Sequence, residues 1–193
     1  MEVTSRSISA DEIEGSVGLR SLRDLIGAEL LGERGGALFL AVSAATLHQM
    51  TAAVSLGKAL LLGAFGDGAL IGWTYVRREV LPDGRMLGVM DELGVHPDGR
   101  GIGVGEVLLE AALEWCRSQE CIGVDSFALP GARETKNFFE TFGLKARLLT
   151  VHVSFLEIEP KKKSYLLHGR SVSEGPISAS TAQSLLGTDE PQS

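Results

Sequence analysis

The chain has 193 residues, of which 44% are hydrophobic and 22% charged, and its formal net charge is −7. A chain of this length has room for one domain and an appendage, and it can bury a core without disulfides or a metal. The negative net charge argues against a general nucleic-acid-binding surface. The sequence contains no run of about 20 apolar residues, so no membrane-spanning helix is predicted.

The two cysteines, Cys116 and Cys121, have no histidine or further cysteine close enough in sequence to suggest a metal site. We therefore expect two free thiols and no bound metal. Residues 1–12 lack the apolar stretch of a signal peptide. Together with the free thiols, this predicts a cytoplasmic protein.

The N-terminal third predicts a strand followed by helices. Residues 3–8 alternate weakly between apolar and polar, which indicates a first strand. Apolar residues recur at helical spacing over residues 17–31, and a second helix is predicted that contains Leu47 and ends at Gly57. Between these helices, residues 37–42 are uniformly apolar and fit either a strand or a helix.

Three strands in succession are predicted next, over residues 58–65, 69–80 and 86–95. Asp67-Gly68 connects the first two, and this dipeptide is typical of a tight hairpin. Pro82-Asp83-Gly84 connects the second and third in a turn. The three strands are therefore predicted to form an antiparallel meander.

A loop rich in glycine follows the third strand and leads into an amphipathic helix. The loop consists of Arg100, Gly101, Ile102, Gly103, Val104 and Gly105. The first turn of a helix has unpaired N–H groups and the positive end of the helix dipole. Glycines let the backbone close around an anion, and Arg100 adds a full positive charge. These features predict a phosphate-binding loop.

The rest of the chain predicts one more strand and helix, a last strand and a tail. The strand covers residues 121–129, the helix 133–142 and the last strand 149–155. A strand after a helical connection is predicted to lie parallel to the third strand of the meander. Residues 158–193 are rich in Ser, Gly, Pro and Gln and predict a flexible, disordered tail after a domain of residues 1–157.

The spacing of the glycines decides between known phosphate-binding motifs. No Walker sequence is present, and a Rossmann fingerprint would need its third glycine where the chain has Glu106. Arg100, Gly103 and Gly105 instead form the pattern Arg-x-x-Gly-x-Gly after a strand. This pattern resembles the acyl-coenzyme A pyrophosphate loop of the GCN5-related N-acetyltransferase (GNAT) superfamily. An ordinary strand-to-helix turn is the alternative.

The resemblance implies an α/β fold with a mixed sheet, in which the antiparallel meander is followed by a parallel pair of strands that splay apart. In this superfamily the pantetheine arm of acetyl-coenzyme A fills the gap between the two splayed strands. Two helices commonly follow the first strand and form the wall of the acceptor site, in agreement with the predicted order of elements.

Acyl transfer to an amine needs a base for the amine and a donor for the developing oxyanion. The resemblance implies that Glu92 is the base, with Asp91 as second candidate; a solvated carboxylate at a strand end is the alternative for each. On a regular strand these two side chains project to opposite faces, although bulges are common here in the superfamily. The implied oxyanion donor is a backbone N–H near Gly94 or Val95.

Many relatives carry a tyrosine that protonates the departing thiolate at the position of Phe139, so this general acid is missing here. Asn137 is expected either to bind the cofactor or to lie on the helix surface. The residues that the resemblance assigns to cofactor binding are Leu93, Gly94, Val95, Arg100, Gly101, Ile102, Gly103, Val104, Gly105, Asn137 and Phe139.

The implied function is transfer of an acetyl group from acetyl-coenzyme A to a primary amine of a small molecule, peptide or protein, by direct attack in a ternary complex. The missing tyrosine favours an alternative function, that of a catalytically weak acyl-coenzyme A-binding or regulatory module. A nucleotide-binding fold of Rossmann type is the third interpretation. Because few residues separate Gly143 from the tail, we expect an acceptor site that is either open or completed by a second subunit in a homodimer.

Overall fold

A computed structural model of the chain describes residues 3–152. Its compact unit ends at Arg147. The strands are β1 (Val3–Ser7), β2 (Ala59–Gly66), β3 (Ala69–Val80), β4 (Met86–Val95) and β5 (Cys121–Ser126). The helices are α1 (Ala10–Ile13), α2 (Val17–Leu31), α3 (Gly36–Ser43), α4 (Leu47–Ser55), α5 (Val104–Ser118) and α6 (Arg133–Thr141). A 3₁₀ turn, Pro97–Gly99, lies between β4 and α5.

The strands form one mixed sheet in the order β1-β2-β3-β4-β5. The pairs β1–β2, β2–β3 and β3–β4 are antiparallel, and β5 is parallel to β4. The predicted fold class is therefore confirmed. The ambiguous segment, residues 37–42, lies in helix α3, where the Phe39 N–H donates to the Gly35 carbonyl at 2.9 Å.

Two predictions near the C-terminal end need correction. The strand predicted over residues 121–129 ends at Ser126, because the chain beyond it has left β4 and has no ladder partner there. The strand predicted over residues 149–155 is not formed over residues 149–152. The rest of this predicted strand lies outside the described residues. So do the predicted domain boundary at residue 157 and the predicted tail, residues 158–193.

Alternation along the strands divides the core between two faces of the sheet. Helices α1, α2 and α4 cover one face, where Leu19 of α2 packs with Trp73 and Tyr75 of β3. Helices α5 and α6 cover the other, where Val76 and Met90 pack against residues of both helices.

None of the described helices alone is long and apolar enough to cross a membrane, although α3 and α4, bent by 44° at their break, together meet that length and composition.

The pairing of β4 changes on both of its edges near Met90. Its ladder with β5 runs from Met86 opposite Cys121 to Met90 opposite Ser126 and stops there, whereas β4 continues to Val95. On its other edge, Glu92 pairs with Tyr75 and Met90 with Val76, so Asp91 is the extra residue of a β-bulge. Bulges bend the strand that contains them. The sheet therefore opens between β4 and β5 at the bulge.

Candidate active site

A cleft with a volume of about 1200 Å³ lies where β4 and β5 separate. Its walls come from residues 91–95 of β4, from α2 and α3 on one face of the sheet, and from the start of α5 together with α6 on the other. Small-molecule sites commonly enclose about 300–1000 Å³. The cleft is therefore large enough for more than one small substrate.

The first turn of α5 presents backbone amides to one end of this cleft. Gly103 precedes the helix with a φ of 91°, and Gly101 has a φ of 75°, both in the left-handed region that favours glycine. Within the described residues, the N–H groups of Val104, Gly105 and Glu106 have no acceptor. Because Gly101 and Gly105 line the cleft, an anion there can bind to these amides.

Arg100 also lines the cleft, where its side chain is paired with an acidic residue. Its Nη2 donates to Glu29 Oε2 of α2 at 2.5 Å, and its Nε donates to the Val95 carbonyl at 3.2 Å. Both side chains of the ion pair are about half exposed, and such pairs contribute only about 0–1 kcal/mol. Arg100 can therefore exchange Glu29 for a phosphate at little cost, and its role in cofactor binding stays a prediction.

The backbone of β4 offers further donors beside the gap. The His96 N–H donates to the Ile71 carbonyl of β3 at 2.8 Å. Because peptide groups alternate along a strand, the Gly94 N–H also faces β3, whereas those of Leu93 and Val95 face the gap that β5 leaves open. Of the two residues predicted to supply the oxyanion donor, Val95 is the one so oriented.

The bulge brings Asp91 and Glu92 to the same face of the sheet. Asp91 pairs with Arg77, which alternation places beside Tyr75, and Glu92 pairs with Arg23 of α2. Both carboxylates line the cleft. The opposite orientation expected of a regular strand does not hold, because the extra residue shifts the alternation by one.

The Glu92 carboxylate already accepts three hydrogen bonds. Arg23 donates from Nη2 to Oε1 at 2.6 Å and from Nε to Oε2 at 2.9 Å, and Trp73 Nε1 donates to Oε2 at 2.9 Å. Arg23 Nη2 also donates to the Ala45 carbonyl at 2.6 Å. Through Arg23 and Trp73, Glu92 thus links β4 to α2, to the loop between α3 and α4, and to β3. It has little remaining capacity to accept a substrate proton.

Asp91 keeps one carboxylate oxygen available. Its side chain is only 10% exposed, and Arg77 Nε donates to Oδ2 at 2.7 Å. Oδ1 has no protein partner among the described residues. Burial raises the pKa of the Asp91 carboxyl above its usual range, although the neighbouring Arg77 guanidinium opposes this shift. A carboxylate with these properties is better suited than Glu92 to accept a proton.

A sequence model of the acetyltransferase (GNAT) family matches residues 30–144. The chain belongs to the GNAT family. This confirms the resemblance inferred from the glycine-rich loop. No curated protein sequence matches the chain significantly.

Solved GNAT structures share the fold at low sequence identity. A ribosomal-protein-alanine N-acetyltransferase from Brucella melitensis biovar Abortus 2308 has a TM-score of 0.58 and 17% identity over 80% of this chain and 99% of its own. Glucosamine-6-phosphate N-acetyltransferase from Arabidopsis thaliana has a TM-score of 0.56 and 17% identity over 80% and 99%. An aminoglycoside acetyltransferase from an uncultured soil metagenomic sample has a TM-score of 0.61 and 12% identity over 79% and 95%.

The remaining predicted cofactor residues of this GNAT domain differ in where they lie. Phe139 is buried, lines the cleft and packs against Phe138 with ring centroids 5.5 Å apart. Val104 is buried in the core under the sheet, and Ile102 is 52% exposed. Asn137 is exposed and is not among the cleft-lining residues of the described chain. The assignment of all four residues to cofactor binding stays a prediction.

Several cleft residues were missed by the sequence analysis. They are Arg23, Phe39, Ser126 and Phe127. Ser126 places a hydroxyl where β5 separates from β4, and it donates to the Met90 carbonyl at 3.3 Å. No spacing pattern in the sequence distinguishes these residues, since their place in the cleft depends on contacts that are distant in sequence.

Gly94 is required by the Trp73 indole, which lies over it. A Cβ at position 94 would be 2.2 Å from Trp73 Cζ3, so Gly94→Ala must displace the ring and its hydrogen bond to Glu92. We expect the free energy of unfolding to fall by about 1–3 kcal/mol, measured by urea denaturation. Gly123→Ala, on β5, is the matched control, because its nearest contact is Leu87 Cδ1 at 4.0 Å. Equal losses in the two variants would contradict this role of Gly94.

Proposed function

We propose that the protein is an N-acetyltransferase that transfers the acetyl group of acetyl-coenzyme A to a primary amine by direct attack in a ternary complex. One observation carries the proposal. The gap between β4 and β5 has unpaired amides of α5 at one end and the buried Asp91 carboxylate on its α2 side. Family membership supports the choice of acetyl-coenzyme A as the acyl donor.

The two substrates are assigned to different faces of the sheet. The amides of Val104, Gly105 and Glu106 bind the diphosphate, with Arg100 as an additional cation. The pantetheine arm lies in the gap along β4, where the Leu93 and Val95 N–H groups face it. The amine approaches from the opposite face, between β4 and the helices α2 and α3.

In the chemical step, Asp91 Oδ1 takes a proton from the ammonium group, directly or through a water. The neutral nitrogen then attacks the thioester carbonyl, and the Val95 N–H stabilises the oxyanion that forms. Collapse of this intermediate breaks the carbon–sulfur bond and releases the coenzyme A thiolate, while the nitrogen gives up its second proton to solvent or to that thiolate and becomes the neutral N-acetylated amine. A thiol has a pKa of about 8.5, so the thiolate can leave without the missing tyrosine hydroxyl at Phe139.

Calorimetry with coenzyme A and a thiol-release assay with acetyl-coenzyme A and an amine panel together test the proposal. We expect micromolar to millimolar binding and amine-dependent release of thiol. Coenzyme A binding without acetyl transfer to any amine would favour the regulatory module. The observation that favours this module is Phe139, which lacks the hydroxyl of a general acid. Absence of binding would overturn both functions.

The exposed side chain of Ile102 allows a charge test of the phosphate-binding loop. Ile102→Glu places a negative charge beside the α5 amides and is expected to weaken coenzyme A binding about tenfold, without affecting the fold because Ile102 is 52% exposed. Ile102→Lys is the matched control and is expected to keep or increase affinity. Calorimetry measures both, and equal weakening by the two variants would contradict a diphosphate at this loop.

A further inference from the structure

The side of the cleft assigned to the amine is formed mainly by apolar side chains. The last β4–β5 pair joins Met90 and Ser126, so the residues that follow them in the chain, Asp91 of β4 and Phe127 just after β5, lie on opposite sides of the opening gap. The Phe127 ring lies 6.0 Å from that of Phe39 of α3, with the ring planes tilted by 56°. The two phenylalanines thus form an aromatic pair across from the proposed base.

The surrounding wall offers few partners for additional polar groups of a ligand. Arg23, which is paired with Glu92, also lines this region. The other large apolar side chains there are Trp73, Ile26, Leu30, Leu31 and Leu40. Helix α3 has no charged side chain, and Ser43 is its one polar residue. A ligand that packs here covers apolar surface, since Phe127 is 47% exposed.

The charges near the cleft favour a single cation. Glu92 is paired with Arg23, whereas Glu29 is paired with Arg100 and, with a side chain that is 42% exposed, stays hydrated when Arg100 turns to a phosphate. Arg77 is shared between Asp91 and Glu79, to which its Nη1 donates at 2.8 Å. One guanidinium thus serves two carboxylates, which leaves one net negative charge beside the gap. The other acidic residues on the acceptor side, Asp24 and Glu33, are exposed at the rim.

From this arrangement we infer that the acceptor is a monoamine with an apolar, preferably aromatic, body, in which the ammonium binds at Asp91 and the body packs against Phe39 and Phe127. The inference rests on the proposed function. A second ammonium group or several hydroxyls, as in polyamines and amino sugars, would lose water against this aromatic pair without gaining hydrogen bonds.

The test compares 2-phenylethylamine with ethylamine, putrescine, spermidine and glucosamine as acceptors. We expect kcat/KM to be at least about tenfold higher for 2-phenylethylamine than for the other four amines, because its phenyl ring is buried against Phe39 and Phe127. A higher kcat/KM for putrescine, spermidine or glucosamine would overturn the inference and leave the proposed acetyl transfer standing.

A pair of variants connects this preference to the aromatic pair. In Phe127→Ala the ratio of kcat/KM between 2-phenylethylamine and ethylamine is expected to fall about tenfold. Ile122→Ala is the matched control, because Ile122 of β5 is similarly exposed, at 53%, and does not line the cleft. An unchanged ratio in Phe127→Ala would overturn the inference.

Direct binding separates the two proposals. Calorimetric titration of 2-phenylethylamine into the protein saturated with coenzyme A needs no catalysis. Binding that is lost in Phe127→Ala supports the inference even if no amine is acetylated, a result that would remove only the proposed acetyl transfer. No detectable binding together with no turnover of 2-phenylethylamine would overturn it.

Discussion

Asp91→Asn is expected to lower kcat/KM for amine acetylation by about 10²–10⁴-fold, the usual contribution of a general base. The amide has the shape of the carboxylate and can still accept a hydrogen bond from Arg77, which donates to Oδ2 at 2.7 Å. What it loses is the ability to take a proton from the ammonium group. Coenzyme A affinity, measured by calorimetry, is expected to stay unchanged because the α5 amides are untouched.

The pH dependence of kcat/KM tests whether Asp91 acts as the base. A base works only when it is deprotonated, so kcat/KM rises with pH as Asp91 loses its proton. Because burial raises the pKa of Asp91, we expect this rise at a higher pH than for an ordinary aspartate, and Asp91→Asn should abolish it. If the rise persists in Asp91→Asn and disappears in Glu92→Gln, Glu92 is the base instead.

Sequence patterns predicted the elements whose ends are encoded locally. The bounds of α2, β3 and β4 match the predicted residues 17–31, 69–80 and 86–95. In β3 and β4, tight turns with Asp-Gly end the strands, and such turns depend on the few residues that form them. The glycine-rich loop before α5 was recognisable for the same reason, since its chemistry lies in one short stretch.

The contacts that define the candidate site depend on distant residues. Arg23 is 69 residues from Glu92, and Arg100 is 71 residues from Glu29. The bulge at Asp91 arises from the register of two strands and not from the residue itself. The resemblance to the superfamily implied Glu92 as the base, whereas in the structure the Glu92 carboxylate accepts three hydrogen bonds and Asp91 Oδ1 has no partner among the described residues.

Alternation alone was insufficient for the last predicted strand. Residues 149–152 continue an alternating pattern, but these described residues form no strand. A period of two indicates which side chains share a face, whereas a strand also needs a neighbour for its backbone groups. Similarly, the apolar segment 37–42 had no periodicity that distinguishes strand from helix, and in the structure it forms part of α3.

Arg23→Met is expected to reduce the free energy of unfolding by about 3–5 kcal/mol, because it leaves the Glu92 charge buried without its partner. Glu92 is 12% exposed and Arg23 is 17% exposed, so water replaces the guanidinium poorly. The expected loss is a large fraction of the total stability of a domain, which is about 5–15 kcal/mol. Urea denaturation measures it. Lys136→Met, which removes an exposed pair with Glu140 on α6, is the matched control and should cost about 0.5 kcal/mol or less.

The double variant Arg23→Met/Glu92→Gln distinguishes the cost of a buried unpaired charge from the loss of side-chain packing. Glutamine is neutral, and its amide oxygen can still accept the hydrogen bond from Trp73 Nε1. If the unpaired charge causes the loss, the double variant should be more stable than Arg23→Met alone, because removing the second partner removes the uncompensated charge. A double variant as unstable as Arg23→Met would instead assign the loss to the missing contacts of Arg23, including its hydrogen bond to the Ala45 carbonyl.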